Sequence, residues 1–323
     1  MIATRWLFKG AAIATARRTF ATAAGGSTAF KVFNRDAKRR QKDRAALDVE
    51  ASRTVDYLRD EIAARVADRF ADIKREYKTV VDLGSGCGHL AKFLDPGRVK
   101  KVIQCDMSEQ SLLRDADRNY PVQVERRLVD EEHLPFEENS VEAVISSLSM
   151  HWINDLPGAM VQIQRSLVPD GVFMGAIFGG DTLFELRTSL QLAEVERESG
   201  ISPHVSPMTT SSDISRLLTR SGFVLTTVDV DEIQVNYPSI FELMEDLKAM
   251  GENNAVLSRR SFLHRDTLIA AAPIYKELHG NPDGTIPATF QVIYMIGWKP
   301  SPNTPLPKKR GSATTSLKDV LEN

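Results

Sequence analysis

The stretch from residue 80 to residue 106, running from VVDLGSGCGHL to IQCD, restricts the possible folds of this chain more than any other. An apolar run enters a turn with glycines at 84, 86 and 88. Glycine lets the backbone bend at positive φ and approach a ligand closely, and a helix starting there aims its free N–H groups at the same point. The spacing is G-x-G-x-G, whereas a pyrophosphate-binding turn reads G-x-G-x-x-G. Asp82 stands two residues before Gly84, where its carboxylate would repel a pyrophosphate and attract the cationic methionine end of S-adenosyl-L-methionine. Asp106, 22 residues after Gly84, closes the next strand and is placed to accept hydrogen bonds from ribose hydroxyls, with Met107 beside it. Asp130, ending a third strand, would stand near the adenine amino group. The expected cofactor set is therefore Asp82, Gly84, Gly86, Gly88, Asp106, Met107 and Asp130.

Around this stretch, strand-like and helix-like segments alternate. Strands are expected at 79–83, 100–105, 122–129, 141–147, 171–178, 223–235 and 288–297, and helices at 88–94, 108–117, 156–167, 213–220, 238–250 and 265–278. Such alternation predicts an α/β chain with the Rossmann-like fold of class I S-adenosylmethionine-dependent methyltransferases, a seven-stranded, mostly parallel sheet covered by helices. Ahead of it, Val55, Leu58, Ile62, Val66, Phe70 and Ile73 recur every three or four residues, so residues 31–78 form an amino-terminal helical cap. A helical insertion spans 179–210, opening on a capping box from Thr182 to Glu185. The methyltransferase-like domain covers 79–299, and a flexible tail covers 300–323.

Charge and composition narrow the function. Six basic residues and no acidic one lie in residues 1–35, which leaves 35 basic against 43 acidic residues in the body. A body of that sign is a poor nucleic-acid binder. The first 26 residues mix Arg and Lys with Ala, Thr, Leu and Ile, the composition of a mitochondrial transit peptide, and the apolar run at 11–16 is too short for a secretory core. No stretch approaches the roughly 18 apolar residues of a membrane span, so membrane contact would be peripheral. Two cysteines, Cys87 and Cys105, are too few for a disulfide framework and suit a reducing compartment.

Strand 141–147 runs into SSLSMHW, beyond the carboxyl end of the sheet, where doubly wound folds handle substrates. His151, as a base, and Trp152 are the candidate catalytic residues, with a wall role as the alternative. No NPPY amine-methylating signature occurs. His264 and Asp266 have the H-x-D spacing of an iron-binding triad, but the only later histidine, His279, falls in an expected helix, so no metal site is assigned. His89, His133 and His204 read as surface or packing residues.

Seven longer stretches resemble one family: FNRDAKRRQK at 33–42, VDLGSGCG at 81–88, LPF at 134–136, SSLSMHWINDLP at 146–157, FGGDTL at 178–183, DEIQVNYP at 231–238 and FELMEDL at 241–247. They are similar to the mitochondrial complex I assembly factor 5 family, with RGSAT at 310–314 also matching. The biotin-pathway malonyl carrier-protein methyltransferases resemble the chain more distantly. The first resemblance implies a matrix protein, peripheral at the inner membrane, that hydroxylates an arginine on the iron-sulfur subunit of NADH:ubiquinone oxidoreductase alongside other early assembly factors. It does not say which oxidant or metal serves the hydroxylation. Residue chemistry alone implies a methyl donor, so a methyltransferase on a protein or acyl-carrier substrate and a non-enzymatic scaffold stand as alternatives. For a protein substrate, the charged stretch 35–48 and the acids Asp181, Glu185, Glu194 and Glu196 are expected to flank the site and pair a guanidinium.

Overall fold

The computed structural model describes residues 31–305 and 310–312. The expected transit peptide and residues 306–309 and 313–323 of the tail lie outside them. Three helices come first: α1 (Arg35–Leu47), α2 (Val49–Thr54) and α3 (Tyr57–Ala71). Asn34 starts α1 by accepting from the backbone N–H of Ala37. In α3 the three-and-four spacing seen in the sequence buries Leu58, Ile62, Val66 and Phe70 on one face.

The sheet consists of β1 (Tyr77–Leu83), β2 (Val99–Asp106), β3 (Gln123–Leu128), β4 (Val141–Ser147), β5 (Leu167–Phe178), β6 (Val224–Tyr237) and β7 (Ile286–Trp298). Its order is β3-β2-β1-β4-β5-β7-β6, with β7 antiparallel to both neighbours and the remaining pairs parallel. The expected seven-stranded, mostly parallel fold is the one observed. The interleaved helices are α4 (Glu109–Arg114), α5 (Leu156–Ser166), α6 (Phe184–Glu198), α7 (Ser211–Arg220), α8 (Ile240–Ala249) and α9 (Arg265–His279). Because strand side chains alternate, Val80, Ala143, Val172 and Met174 join a core with α3, α6, α8 and α9, while Val81, Leu83, Val144 and Phe173 join one with α5 and α7. From β1 the chain steps outward to β2 and later returns to β4 on the other side of β1. Ligands of doubly wound sheets bind at this kind of reversal, at the carboxyl ends of the strands.

Two local expectations fail. No α-helix follows the glycine turn; residues Leu90–Lys92 make one 3-10 turn instead of a helix over 88–94. Gly88 holds φ at +85°, and Pro96 pulls its predecessor out of helical geometry, so too few residues remain to nucleate a helix. No helix dipole is therefore aimed at the glycine turn from this segment. The capping box also fails. Leu183 takes the cap position at φ +53°, Thr182 Oγ1 donates to Gln291 O at 3.0 Å, and Glu185 turns to Thr289, because β7 offers both side chains a buried partner.

Candidate functional site

Strand β1 carries Asp82 to the carboxyl edge of the sheet, fully buried, and neither carboxylate oxygen has a hydrogen-bond partner. Burial, reinforced by the charge of Asp106, pushes its carboxyl up to about 8. Such a group ionises when a cation arrives beside it. The glycines that follow all hold positive φ, at +73°, +55° and +85°. A Cβ on Gly84 would fall 2.0 Å from Ser149 Oγ, and one on Gly88 would fall 2.4 Å from Gln104 Nε2, so both positions exclude a side chain. At Gly86 the nearest such atom is 3.8 Å away, which leaves that turn facing space.

Asp106 ends β2 fully buried and fully engaged. Its Oδ1 accepts from Ser108 N at 2.8 Å, and its Oδ2 accepts from Gly86 N at 2.9 Å and from Lys42 Nζ at 2.7 Å. Burial opposes the Lys42 charge, but Asp106 and Glu131 outweigh it and raise the ammonium's pKa. Helix α1 is fastened here at further points. Arg35 pairs with Asp130 and Glu131, each at 2.5 Å, and Asn154 Oδ1 accepts from Val32 N and Phe33 N. Asp130 resists ionic pairing through burial, yet Arg35 draws its pKa below the usual range. Met107 is half-buried next to Asp106.

The donor set fits S-adenosyl-L-methionine in kind, since Asp82 offers an unpartnered buried acid to a cation and Asp106 a carboxylate to hydroxyls. The space between Lys42, Arg59, Asp82 and Gly86 is about 10 Å³, room for one water. Lys42 holds the Asp106 oxygen that the sequence reading assigned to ribose hydroxyls. The charged stretch 35–48, expected to line the mouth of the site, instead plugs it, with Lys38 and Lys42 both buried.

Past Ser147 the chain turns at Leu148, whose φ of +54° is rare for a branched residue and common at functional sites. His151 and Trp152 follow. Trp152 Nε1 donates to Glu252 Oε2 at 2.8 Å, and Lys38 Nζ sits 3.3 Å from the centre of its ring. Lys38 also donates to Gly251 O and Asn253 O, and burial pushes its pKa down to about 7. His151 is wedged between the rings of Trp152 and Phe178, and neither of its nitrogens makes a hydrogen bond; Nε2 lies 3.5 Å from Glu252 Oε2. Burial pulls its pKa down, so the neutral imidazole at pH 7 is able to accept a proton. Glu252 is held well below the usual carboxylate range despite its burial, with His151 and Arg59 close by, and its Oε1 accepts from Arg59 at 2.6 Å. Arg59 borders the cradle and Glu252 borders a second, larger cavity of about 430 Å³ on the far side of Trp152.

The structure brings Asp82, the glycines, Asp106, His151 and Trp152 to one edge of the sheet. It adds Lys42, Arg59, Glu131, Ser149 and Glu252, which sequence reasoning missed. The signal for Lys42 and Arg59 was weak, since basic residues in a charged or amphipathic helix ordinarily face water. Of the acids expected to pair a guanidinium, two are unavailable. Glu185 accepts from Thr289 Oγ1 at 2.5 Å, and Glu194 accepts from Ser202 and lies 3.2 Å from Arg260, both buried. Asp181 and Glu196 remain exposed.

Among the described residues, Asp56, Asp60 and His89 place possible ligand atoms within 4.8 Å of one another. Arg114 takes both oxygens of Asp56, and Lys92 takes both oxygens of Asp60. A divalent cation there would meet two resident cations, so this donor set suits an ion-pair network. His264 and His279 stand at opposite ends of α9, about 20 Å apart at 1.5 Å per residue, too far for one triad.

A family model described as a methyltransferase domain matches residues 81–175. A candidate methyltransferase of Bacillus halodurans has a solved structure with a TM-score of 0.51 at 18% identity, covering 73% of this chain and 99% of that one; it speaks for the fold alone. The malonyl-[acyl-carrier protein] O-methyltransferase of a Methylovorus species is 33% identical over 83% of this chain and 90% of that protein. The mouse protein "Arginine-hydroxylase NDUFAF5, mitochondrial" is 51% identical over 92% of this chain and 87% of its own length. That match covers 92% of this chain, and the chain belongs to the NDUFAF5 family of mitochondrial arginine-hydroxylases.

Proposed function

We propose that this protein hydroxylates an arginine side chain of a protein subunit in the mitochondrial matrix during assembly of NADH:ubiquinone oxidoreductase, the iron-sulfur subunit being the substrate. The observation that carries this reading is the 51% identity over 92% of the chain to a mitochondrial arginine-hydroxylase. Inner-membrane contact would be peripheral, since no described helix is long and apolar enough to cross a membrane. His151 would be the proton acceptor of the site; its burial, its lowered pKa and its lack of a hydrogen-bond partner support that role. The test is the mass of the iron-sulfur subunit from mitochondria with and without this protein. A loss of 16 Da on one arginine supports the reading; an unchanged arginine sinks it.

S-adenosyl-L-methionine would be held by Asp82, the backbone at Gly84, Gly86 and Gly88, Asp106 and Met107. When bound it supplies a cationic sulfonium bearing a transferable methyl group. Asp82 would carry the balancing charge, and Lys42 would give up Asp106 to the ribose. Asp130, tied to Arg35, would reach an adenine only if α1 also withdrew. The unpartnered carboxyl of Asp82 favours a second reading, methyl transfer to a protein or acyl-carrier substrate. Transfer of label from methyl-labelled cofactor to a matrix protein would support methylation, and labelled cofactor that binds without transfer would leave hydroxylation.

A further inference from the structure

We infer that the 430 Å³ cavity beyond Trp152 is a binding site for an elongated apolar molecule with a single anionic head, of the fatty-acid class, whose head pairs with Arg259. The cavity lies within the 300–1,000 Å³ range of small-ligand sites and has room for about a dozen water-sized groups. Phe178, Leu186, Met208, Met244, Leu247 and Phe290 make its walls predominantly hydrocarbon, from the α6 segment on one side and the α8 region with β7 on the other. An apolar body laid against these side chains leaves water and gains by it. Charge decides the head. The only carboxylate among the lining residues is Glu252, and it already pairs with Arg59 and accepts from Trp152. Arg260 is likewise spent on Glu194 and Glu198. Arg259 makes no ion pair among the described residues; its guanidinium donates once, to Val256 O at 3.0 Å. It also lies near the Lys38 ammonium. A guanidinium entering here would meet cations and a neutralised acid, whereas a carboxylate would meet an arginine with free donors.

This site stands beside the hydroxylase reading and does not rest on it. Decanoate, decanol and decyltrimethylammonium, titrated calorimetrically into the full-length protein, differ in head charge and share one chain. Decanoate should bind roughly ten-fold more tightly than decanol, about the worth of one partly hydrated charge-assisted hydrogen bond, and the cation should not bind. Arg259→Met should erase the advantage of decanoate while leaving decanol unchanged. Met208→Trp, which fills the cavity from its half-buried rim, should weaken both, and its circular dichroism shows whether it folds. Because Trp152 forms a wall, a terminally brominated undecanoate should also quench tryptophan fluorescence in the unaltered protein, and Trp152→Phe should remove that quenching. Equal affinity for decanoate and decanol, binding of the cation, an advantage that survives Arg259→Met, full affinity in folded Met208→Trp, or quenching that persists in Trp152→Phe would each overturn the inference. None of these outcomes alters the mass of the target subunit, so this failure and that of the hydroxylase reading are distinguishable.

Discussion

The glycine-loop cradle and the cavity beyond Trp152 are joined through the Arg59–Glu252 pair, yet they are built in opposite ways. The cradle is made of consecutive backbone, with positive φ at three alternating glycines and about 10 Å³ of space. The cavity is made of side chains from α1, the 178–208 segment, the 244–263 segment and β7, and it leaves about 430 Å³. In the cradle, a buried ammonium from α1 lies on Asp106; the cavity is bounded in large part by hydrocarbon side chains. Buried charge is costly unless paired, so Lys42 meets Asp106 in the cradle while Asp82, without a partner, is pushed toward its neutral form; hydrocarbon walls carry no such penalty. The cradle should therefore respond to substitutions through sterics and charge, and the cavity through volume.

Gly84→Val tests the tightness of the cradle and should have the largest effect. A β-branched side chain at φ +73° and 2.0 Å from Ser149 Oγ should cost about 4 kcal/mol, read as a fall in melting temperature of roughly 10 °C together with loss of cofactor in equilibrium dialysis. A stable variant that still binds would show that the turn can yield. Lys42→Met should come next, destabilising the ligand-free protein by about 3 kcal/mol, because Asp106 is left buried with only backbone partners. The same change should tighten S-adenosyl-L-methionine binding, about ten-fold for each 1.4 kcal/mol no longer needed to displace the ammonium. Weaker binding would mean that Lys42 holds the cofactor instead of standing in for it.

The pH dependence of Asp82 separates the two regions further. Its folded pKa, about 8, lies above the 3.8 of an unperturbed carboxyl, so between those values the folded state binds more protons than the unfolded state. Stability of the ligand-free protein should therefore fall as pH rises from 4 toward 8, and Asp82→Asn should flatten that slope and raise stability at pH 8 in chemical denaturation. An unchanged slope would show that Asp82 is already ionised. Cofactor binding by the unaltered protein should release a proton, visible as buffer-dependent heat in calorimetry. The smallest effect should come from Trp152→Phe, which removes one hydrogen bond to Glu252 for about 1 kcal/mol and leaves cofactor affinity within two-fold. A ten-fold shift would mean that the Arg59–Glu252 pair couples the two regions.

The residues along β1 and β2 were legible from sequence because each owes its place to its neighbours in the chain. Asp82, Gly84, Gly86, Gly88 and Asp106 are set by one strand–turn–strand unit, and alternating apolar runs gave all seven strands. Errors appeared where a local rule met a distant partner. Thr182 and Glu185 matched a capping box, but β7 took both side chains. Glu194 looked available in an inserted helix and is buried against Ser202 and Arg260. The charged stretch 35–48 was expected to flank the site, because nothing in the sequence marks which lysine will find a buried acid 64 residues later.

Sequence by itself determined the sheet, the glycine turn and the family resemblance, since periodicity and motif spacing act over a few residues. Only the tertiary structure decided that Lys42 stands on Asp106, that Arg59 meets Glu252, and that His151 is left without a partner beside an apolar cavity. Those facts depend on packing α1, α3 and the 250s segment around a single strand end. Burial then sets which charges are paired and which pKa values move, and neither quantity exists until the chain has closed on itself.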